Sequence, residues 1–296
     1  MNQSLTPYKE STKNQYMRIK FIKICTCLAL LFFLISFKRK DVTWVAIGDS
    51  ITYLNDHLDE TGNRVTKGYM TRVKEAIPEI NFVNQGHNGW TSAGIAKEID
   101  HLGLTKADIY SVFLGTNDWW SGIPIGTFSD FEKNTGNASI YGSFKIITDK
   151  IKKLNPEAKI VLITPMQRTD FVYLTDKNNN AWGSYKLKNG QSLEGVANAI
   201  LDIGKRENIK VLDLYHQKGM QVKDLVAFKR LKDPLSGSYK NYAYPEYVNI
   251  PFTPADEYPY PQKAIKVTYD GLHPSDKGYQ MISTALVKVL KSLQNF

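Results

Sequence analysis

Short apolar runs alternate with amphipathic runs along residues 41–296, and this alternation constrains the fold more than any other feature of the chain. Five apolar runs have the length and β-branched content of buried strands: residues 41–47, 80–84, 108–114, 159–164 and 209–214. Helical periodicity marks residues 68–76, 92–101, 140–154, 193–207 and 275–293. Because strands that are apolar throughout are buried on both faces, the sequence predicts an α/β protein whose parallel sheet is covered by helices on both sides.

The formal net charge of +9 is concentrated at the N-terminus. Residues 1–40 hold eight of the 38 basic residues and one of the 29 acidic residues, so the remaining chain carries a net charge of about +2. A surface that follows the phosphates of a nucleic acid needs a larger excess of basic residues on the folded domain. We therefore predict no nucleic-acid partner, and we divide the chain into a leader, residues 1–40, and one domain, residues 41–296.

The leader contains an apolar run, residues 24–37, with basic residues on both sides. The run is shorter than the roughly twenty residues that span a bilayer, and it matches the apolar region of a signal peptide. No small-residue cleavage site follows it, so a retained membrane anchor is the other interpretation, and a buried core helix is the third. We predict an exported protein, secreted, periplasmic or anchored, that contacts the membrane only through this leader.

Residues suited to chemistry follow the first three predicted strands. Ser50 follows the first strand in Gly48-Asp49-Ser50, Gly89 follows the second, and Asn117 follows the third in Gly115-Thr116-Asn117-Asp118. Parallel strands bring their carboxyl ends to one edge of the sheet, where ligands of such sheets bind. We therefore expect Ser50, Gly89 and Asn117 to share a site.

Asp270 and His273 supply what a serine nucleophile at that site would need. His273 is a candidate base for the Ser50 hydroxyl, and Asp270, three residues earlier, is placed to orient the imidazole. Gly89 and Asn117 offer N–H groups to an oxyanion. Each residue alone also fits an ordinary turn or helix cap, so the prediction depends on all five together. The other histidines lack a comparably placed carboxylate in our interpretation. We assign them structural or surface roles, with an exception left open for His87 because of its neighbours.

Four segments resemble, in order, four sequence blocks of the SGNH (GDSL-type) hydrolases, and the resemblance covers about residues 43–290. The segments are Gly48-Asp49-Ser50, residues 84–89, Gly115-Thr116-Asn117-Asp118 and Asp270-Gly271-Leu272-His273-Pro274. The resemblance implies a flavodoxin-like three-layer α/β/α sandwich with a five-stranded parallel sheet of order 2-1-3-4-5. It also implies a triad of Ser50, His273 and Asp270, and an oxyanion hole formed by the Ser50 N–H, Gly89 and Asn117.

The substrate is less constrained than the reaction. Trp90, Trp119 and Trp120 lie next to the predicted oxyanion residues, where they would form a platform for sugar rings, an apolar wall, or only core packing. Ile51 stands where the lipase-type signature often has Leu. We therefore predict removal of acetyl or other short acyl groups from carbohydrate, with a lipase or lysophospholipase as the first alternative and a catalytically silent glycan-binding module as the second.

Two further expectations concern cofactors and the long connection before the last helix. Cys25 and Cys27, the only cysteines, lie in the leader, and we see no metal-ligand cluster or phosphate-binding glycine loop, so we predict no cofactor. Residues 216–268 are rich in Tyr and Pro and are too long for an ordinary loop. We predict that this insert covers or shapes the cleft. The oligomeric state stays open.

Overall fold

The computed structural model describes residues 15–21, 23 and 41–293, in two compact units, residues 1–40 and 41–296. In the first unit, residues 15–21 and 23 are helical and exposed. The apolar run at residues 24–37 lies outside the described residues, so a signal peptide or anchor there stays a prediction. No helix within the described ranges is both long enough and apolar enough to cross a bilayer.

Five parallel strands form the central sheet of the second unit, and two short antiparallel pairs lie outside it. The strands are β1 (Val42–Gly48), β2 (Ile80–Gly86), β3 (Ile109–Phe113), β4 (Lys159–Ile163), β5 (Phe171–Val172), β6 (Asn180–Ala181), β7 (Lys210–Leu212), β8 (Lys229–Lys232) and β9 (Tyr239–Tyr242). The central order is β2-β1-β3-β4-β7, which confirms the predicted order 2-1-3-4-5. Gly48 pairs with both Gly86 and Phe113, so the carboxyl ends of the first three strands are level.

Helices cover both faces of this sheet. They are α1 (Ser50–Tyr53), α2 (Tyr69–Ala76), α3 (Ser92–Glu98), α4 (Thr116–Ser121), α5 (Phe128–Glu132), α6 (Ile140–Leu154), α7 (Leu193–Arg206), α8 (Val222–Leu225) and α9 (Asp276–Leu293), with 3₁₀ turns at Leu58–Thr61, Glu246–Asn249 and Gln262–Ala264. All five predicted helices are present, within a few residues of their expected ends. The short helices α1, α4, α5 and α8 were not predicted.

Successive side chains of β1 enter two different cores, as the pleat of a strand requires. Trp44 and Ala46 pack in the core that contains α2 and α9, and Val45 and Ile47 pack in the core that contains α3, α6 and α7. All four side chains are fully buried. The three-layer α/β/α architecture is therefore confirmed.

The predicted insert, residues 216–268, is an ordered part of the second unit. It contains α8, the hairpin of β8 and β9, and two of the 3₁₀ turns. A small apolar cluster joins Leu231, Tyr247 and Tyr260 of the insert to Val172 of β5. The fully buried Lys229 of β8 also forms an ion pair with Asp170, just before β5. The insert is thus packed onto the segment that follows β4.

Candidate active site

Ser50 is the first residue of α1, immediately beyond β1, and only 6% of it is exposed. Asp49 caps this helix, because its side chain accepts a hydrogen bond from the Ile51 N–H at 3.0 Å. Gly48 is required by close packing rather than by a special backbone conformation. A Cβ on Gly48 would lie 2.1 Å from Thr52 Oγ1, so glycine here lets α1 pack closely against the end of β1.

His273 and Asp270 lie in the loop before α9, and both are buried. His273 Nε2 is 2.8 Å from Ser50 Oγ, and His273 Nδ1 is 2.6 Å from Asp270 Oδ2. The second carboxylate oxygen of Asp270 accepts the N–H groups of Leu272 at 3.0 Å and His273 at 2.7 Å. The aromatic rings of Phe171 and Tyr269 pack against the imidazole, with ring centroids 5.5 and 5.9 Å away. The three predicted triad residues therefore form one continuous hydrogen-bonded chain.

The loop that carries Asp270 is held by the segment around β5. The Thr169 N–H donates to the Gly271 carbonyl at 3.0 Å, and the Val172 N–H donates to the Asp270 carbonyl at 3.1 Å. Gly271 has φ of +92°, and a Cβ there would lie 2.0 Å from the Asp170 carbonyl oxygen. Only glycine combines this backbone conformation with such a close approach. The motif thus needs Gly271 to hold Asp270 and His273 in register.

The electrostatic environment favours the charged form of His273. Burial alone lowers the pKa of its imidazole, but the charge and the hydrogen bond of the Asp270 carboxylate raise it, and the net pKa lies above the usual 6.5. An imidazole that binds its proton more tightly is a stronger base toward a hydroxyl. The arrangement can therefore remove a proton from Ser50 and stabilise the imidazolium that results.

Gly89 lies in a tight turn between β2 and α3. The Trp90 N–H donates to the His87 carbonyl at 3.1 Å, and Gly89 has φ of +77°, a conformation that favours glycine. A Cβ at Gly89 would meet no atom within 4 Å, since this residue faces open space at the cavity. Within the described part of the chain, the N–H groups of Ser50 and Gly89 donate to no other residue. Both are therefore available to an incoming oxygen.

Asn117, in the first turn of α4, faces the same cavity. Its Nδ2 donates one hydrogen to the Trp90 carbonyl at 3.0 Å, which fixes the amide and leaves the other hydrogen available. The next residue, Asp118, is buried and accepts both the N–H and the hydroxyl of Ser92, the latter at 2.6 Å. These bonds hold α4 against the start of α3. Asn117 and Gly89 are thus brought together at the level of Ser50.

A cavity of about 310 Å³ opens over these residues. Its lining includes Ser50, Gly89, Asn117, Trp120, Arg168 and His273. A second cavity of about 550 Å³ adjoins it, because both are lined by Phe171 and Ala181. Residues 248–252 of the insert line the second cavity, together with Trp182 and Lys186. The insert, whose length and composition led us to predict a role in shaping the cleft, therefore contributes to the lining of the second cavity.

The three predicted tryptophans have three different positions. Trp120 lines the first cavity, and its ring centroid lies 4.7 Å from that of Trp182. The substrate-binding role predicted for Trp119 is wrong, and core packing is the alternative that holds. Its side chain is fully buried, and its N–H donates to the Gln191 carbonyl at 3.0 Å. Trp90 does not line either cavity. Its carbonyl orients Asn117, and its ring packs against His87 and the core.

Several residues of the site were missed, and most of them come from residues 165–192. Arg168, Phe171, Tyr173, Asn179 and Ala181 all line the first cavity. Arg168 lies a short distance beyond the end of β4, so the rule that placed Ser50, Gly89 and Asn117 at the sheet edge would also have placed Arg168 there. The others lie in two short antiparallel strands and their connection, which carry no periodic signal in the sequence.

The motifs and the fold agree with a known family. The sequence model of the GDSL-like lipase/acylhydrolase family matches residues 46–281. The chain belongs to this family. As a GDSL-like acylhydrolase it is an ester hydrolase, and it is not the catalytically silent module that the sequence left as an alternative.

Solved structures extend this result. A crystal structure described as a possible lipase from Chitinophaga pinensis DSM 2588 is 63% identical, with a TM-score of 0.84 over 85% of this chain and 98% of that chain. A protein from Lactobacillus plantarum matches at 18% identity and a TM-score of 0.58, over 86% of this chain and 98% of that one. The acetyl xylan esterase AlAXEase matches at 16% identity and a TM-score of 0.51, over 84% and 100%. The last two similarities show the fold alone. No curated protein matches this GDSL-like hydrolase.

Proposed function

We propose that this GDSL-like hydrolase removes acetyl or other short acyl groups from carbohydrate, through an acyl-enzyme on Ser50. The observation that carries the proposal is the pair of short contacts on either side of one imidazole. His273 Nε2 lies 2.8 Å from Ser50 Oγ, while Nδ1 lies 2.6 Å from Asp270. A hydroxyl, a base and an orienting carboxylate, hydrogen-bonded in this order, are the groups that acyl transfer to water requires.

In the proposed mechanism, His273 takes the Ser50 proton as the serine oxygen bonds to the ester carbonyl carbon. The carbonyl oxygen becomes an oxyanion, which the N–H groups of Ser50, Gly89 and Asn117 stabilise. Collapse of the tetrahedral intermediate breaks the bond to the alcohol, and His273 returns its proton to the departing oxygen. Water then loses a proton to His273 as its oxygen bonds to the acyl carbon. The second tetrahedral intermediate collapses by breaking the bond to Ser50 Oγ, which takes the proton back from His273, and the carboxylic acid is released.

The lining of the first cavity supports a short acyl group. Asn88, Asn117, Asn179 and Arg168 line it, and a long alkyl chain would leave these polar groups without partners. The alcohol part of the substrate would extend into the second cavity, where Trp182 offers a partly exposed aromatic face. Export, which the leader predicts, would bring this site to extracellular or cell-surface glycans.

A lipase-type activity is the second candidate, and one feature of the second cavity favours it. Val248, Ile250 and Phe252 give that cavity an apolar side, against which an alkyl chain would pack. The 63% identical structure is also described as a possible lipase. The two candidates differ in which part of the ester enters the second cavity, and therefore in their preference for acyl-chain length.

We expect kcat/KM for 4-nitrophenyl acetate to exceed that for 4-nitrophenyl decanoate by about tenfold or more, because a methylene series in a pocket changes specificity by this order. Phe252→Ala should lower kcat/KM for acetylated xylo-oligosaccharides several-fold more than for 4-nitrophenyl acetate, since only the larger substrate reaches the second cavity. Leu235→Ala is the matched control, because Leu235 belongs to the same insert and is 98% exposed. Faster hydrolysis of the decanoate would instead establish the lipase-type candidate.

Asn117→Ala should lower kcat on 4-nitrophenyl acetate by about 10²–10³-fold with little change in KM, because an oxyanion donor acts mainly in the transition state. Asn137→Ala is the control. Asn137 makes the same kind of bond, from Nδ2 to the Ala93 carbonyl at 3.1 Å, but does not line either cavity. If the two variants lose kcat equally, Asn117 acts only by holding backbone and has no place in the oxyanion hole.

A further inference from the structure

Arg168 is a buried cation at the wall of the active-site cavity. It follows β4, lines the cavity that contains Ser50 and His273, and is only 2% exposed. Its guanidinium lies 5.0 Å from the Trp119 ring and 4.9 Å from the Trp120 ring, so two indoles support its apolar faces. Nε and Nη2 both donate to the Trp182 carbonyl, at 3.3 and 2.8 Å. These contacts fix the orientation of the side chain.

The third guanidinium nitrogen, Nη1, donates to no other residue in the described ranges. It is not fully buried either, because the fully buried side-chain polar atom without a partner in those ranges is His87 Nε2. Because Nε and Nη2 already donate to the Trp182 carbonyl, Nη1 is the nitrogen left to face the cavity that Arg168 lines. Arginine is rarely buried without a carboxylate because desolvation of its charge is costly. An acceptor supplied from outside the protein would complete its set of hydrogen bonds.

The nearby carboxylates are already occupied by other partners. Asp270 bonds His273 and two backbone N–H groups. Asp170 forms the ion pair with Lys229 and accepts hydrogen bonds from Tyr185 and from the Gly183 N–H, the last at 2.8 Å. Neither makes a hydrogen bond or ion pair with Arg168 in the described structure. Their charges act on Arg168 only through space, and burial still lowers the pKa of Arg168 to about 10.

Two charged side chains that line the cavities have no ion pair in the described chain, and both are cationic. Arg168 lines the first cavity and Lys186 the second, whereas the acidic lining residue Asp170 is neutralised by Lys229. Lys188 adds a further positive charge. Its Nζ lies 4.3 Å from the ring centroid of Trp120, which lines the first cavity, and 4.9 Å from that of Trp182, which lines the second. A neutral ester would leave this positive charge uncompensated. An ester with a negative group would not.

We propose that Arg168 Nη1 binds a carboxylate of the substrate beside the scissile ester, so that the enzyme prefers acidic esters to neutral ones of the same size. This inference rests on the proposed function, because it concerns the substrate of the same site. The carboxylate has two chemical sources: the alcohol part, as in an acetylated uronate, or the acyl part, as in the half-ester of a dicarboxylic acid. Planar guanidinium donors match a carboxylate in either case.

The test compares kcat/KM within two matched pairs. The first pair is O-acetyl methyl glucuronoside and O-acetyl methyl glucoside, and the second is 4-nitrophenyl hemisuccinate and 4-nitrophenyl butyrate. We expect the acidic member of one pair to be preferred by about ten- to hundredfold, the range of one hydrogen bond between charged groups. The pair that shows the preference identifies the source of the carboxylate. Ratios near one, or below one, in both pairs would overturn the inference without any variant.

Variants then assign the preference to one residue. Arg168→Met should bring the preferred ratio close to one, and Arg168→Lys should keep part of it, since lysine retains the charge without the fixed fork of donors. Lys188→Met is the matched control. It removes a neighbouring positive charge that does not line the cavity, and the ratio should change by no more than about twofold if the effect requires a direct hydrogen bond. An unchanged ratio in Arg168→Met would contradict the proposal.

A failure of the proposed function can be distinguished from a failure of carboxylate binding by Arg168. If the wild-type protein cleaves none of these esters faster than Ser50→Ala, the catalytic proposal fails, and carboxylate binding is then measured by thermal shift. Glucuronate or succinate should raise the melting temperature of the wild-type protein above the effect of glucose or succinamide. The increase should be lost in Arg168→Met. Equal shifts with acidic and neutral compounds would refute the site even then.

Discussion

Ser50→Ala and His273→Ala are each expected to lower kcat for 4-nitrophenyl acetate by about 10⁴–10⁶-fold, with KM much less affected. Without the Ser50 hydroxyl there is no atom to carry the acyl group. Without His273 the hydroxyl, 2.8 Å away in the wild-type protein, keeps its proton and is a poor nucleophile. Stopped-flow and steady-state hydrolysis measure both variants, and circular dichroism shows whether they fold.

The double variant tests whether the two residues act as a unit. Ser50→Ala combined with His273→Ala should be no slower than either single variant, because the first substitution already removes the whole reaction path. Ser292→Ala is the control, because Ser292 is a serine of α9 that lies outside both cavities. The activity of this variant should equal that of the wild type. Losses that multiply in the double variant would mean that Ser50 and His273 contribute independently, contrary to the proposed mechanism.

The sequence predicted the sheet and the residues at its edge because both depend on local patterns. Strands β1, β2 and β3 are apolar runs of strand length, and Ser50, Gly89 and Asn117 follow them within a few residues. The pairing of Gly48 with Gly86 and Phe113 then brings the three strand ends to one level. Parallel pairing therefore converts three separate sequence positions into one site.

The local sequence pattern was a less reliable guide to the roles of the histidines. Asp213 and His216 have the same spacing as Asp270 and His273, and their side chains form the same kind of contact, 2.8 Å from Oδ2 to Nδ1. Our interpretation that the other histidines lack a comparable carboxylate was wrong for His216. His216 differs in being substantially exposed, with Glu194 rather than a serine near its Nε2. The role of a histidine in such a four-residue motif depends on its burial and on the partner of its second ring nitrogen. The motif itself shows neither.

The remaining errors concern tertiary packing. Trp119 and Trp120 are neighbours on α4, yet one enters the core and the other the cavity, because adjacent helical side chains point about 100° apart. Which of them faces the cavity depends on how α4 packs against the rest of the fold, and the hydrogen bond from Ser92 to buried Asp118 is one of the contacts that hold α4 in place. No periodic pattern in the sequence encodes this contact between two helices.

The insert has a structural role beyond the lining of the second cavity. Its buried Lys229 pairs with Asp170, and its Tyr260 hydroxyl donates to the Asp170 carbonyl. The adjoining residues Thr169 and Val172 donate to the loop that carries Asp270. A chain of contacts thus connects the insert to the triad. For this reason, substitutions at the cavity wall, such as Phe252→Ala, test the insert more cleanly than its deletion.

Asp270→Asn is expected to lower kcat by about 10⁴-fold while the fold is retained, because the amide would select the wrong tautomer of His273. In the wild-type protein, Oδ1 accepts two backbone N–H groups and Oδ2 accepts the Nδ1 proton. An asparagine oxygen would take the first position, which directs the NH₂ group toward Nδ1. Nδ1 must then accept, so the proton moves to Nε2, which faces Ser50 and can no longer act as the base.

The pH profile distinguishes this tautomer effect from a general loss of structure. In the wild-type protein kcat/KM should rise through an apparent pKa above 6.5, because neutral His273 is the active form and Asp270 raises its pKa. In Asp270→Asn the residual activity should rise at lower pH, since burial lowers the pKa and the opposing carboxylate is gone. Asp213→Asn alters the exposed pair of the same spacing and should leave both kcat and the profile unchanged. A profile for Asp270→Asn that coincides with the wild type would show that Asp270 does not control the ionisation of His273.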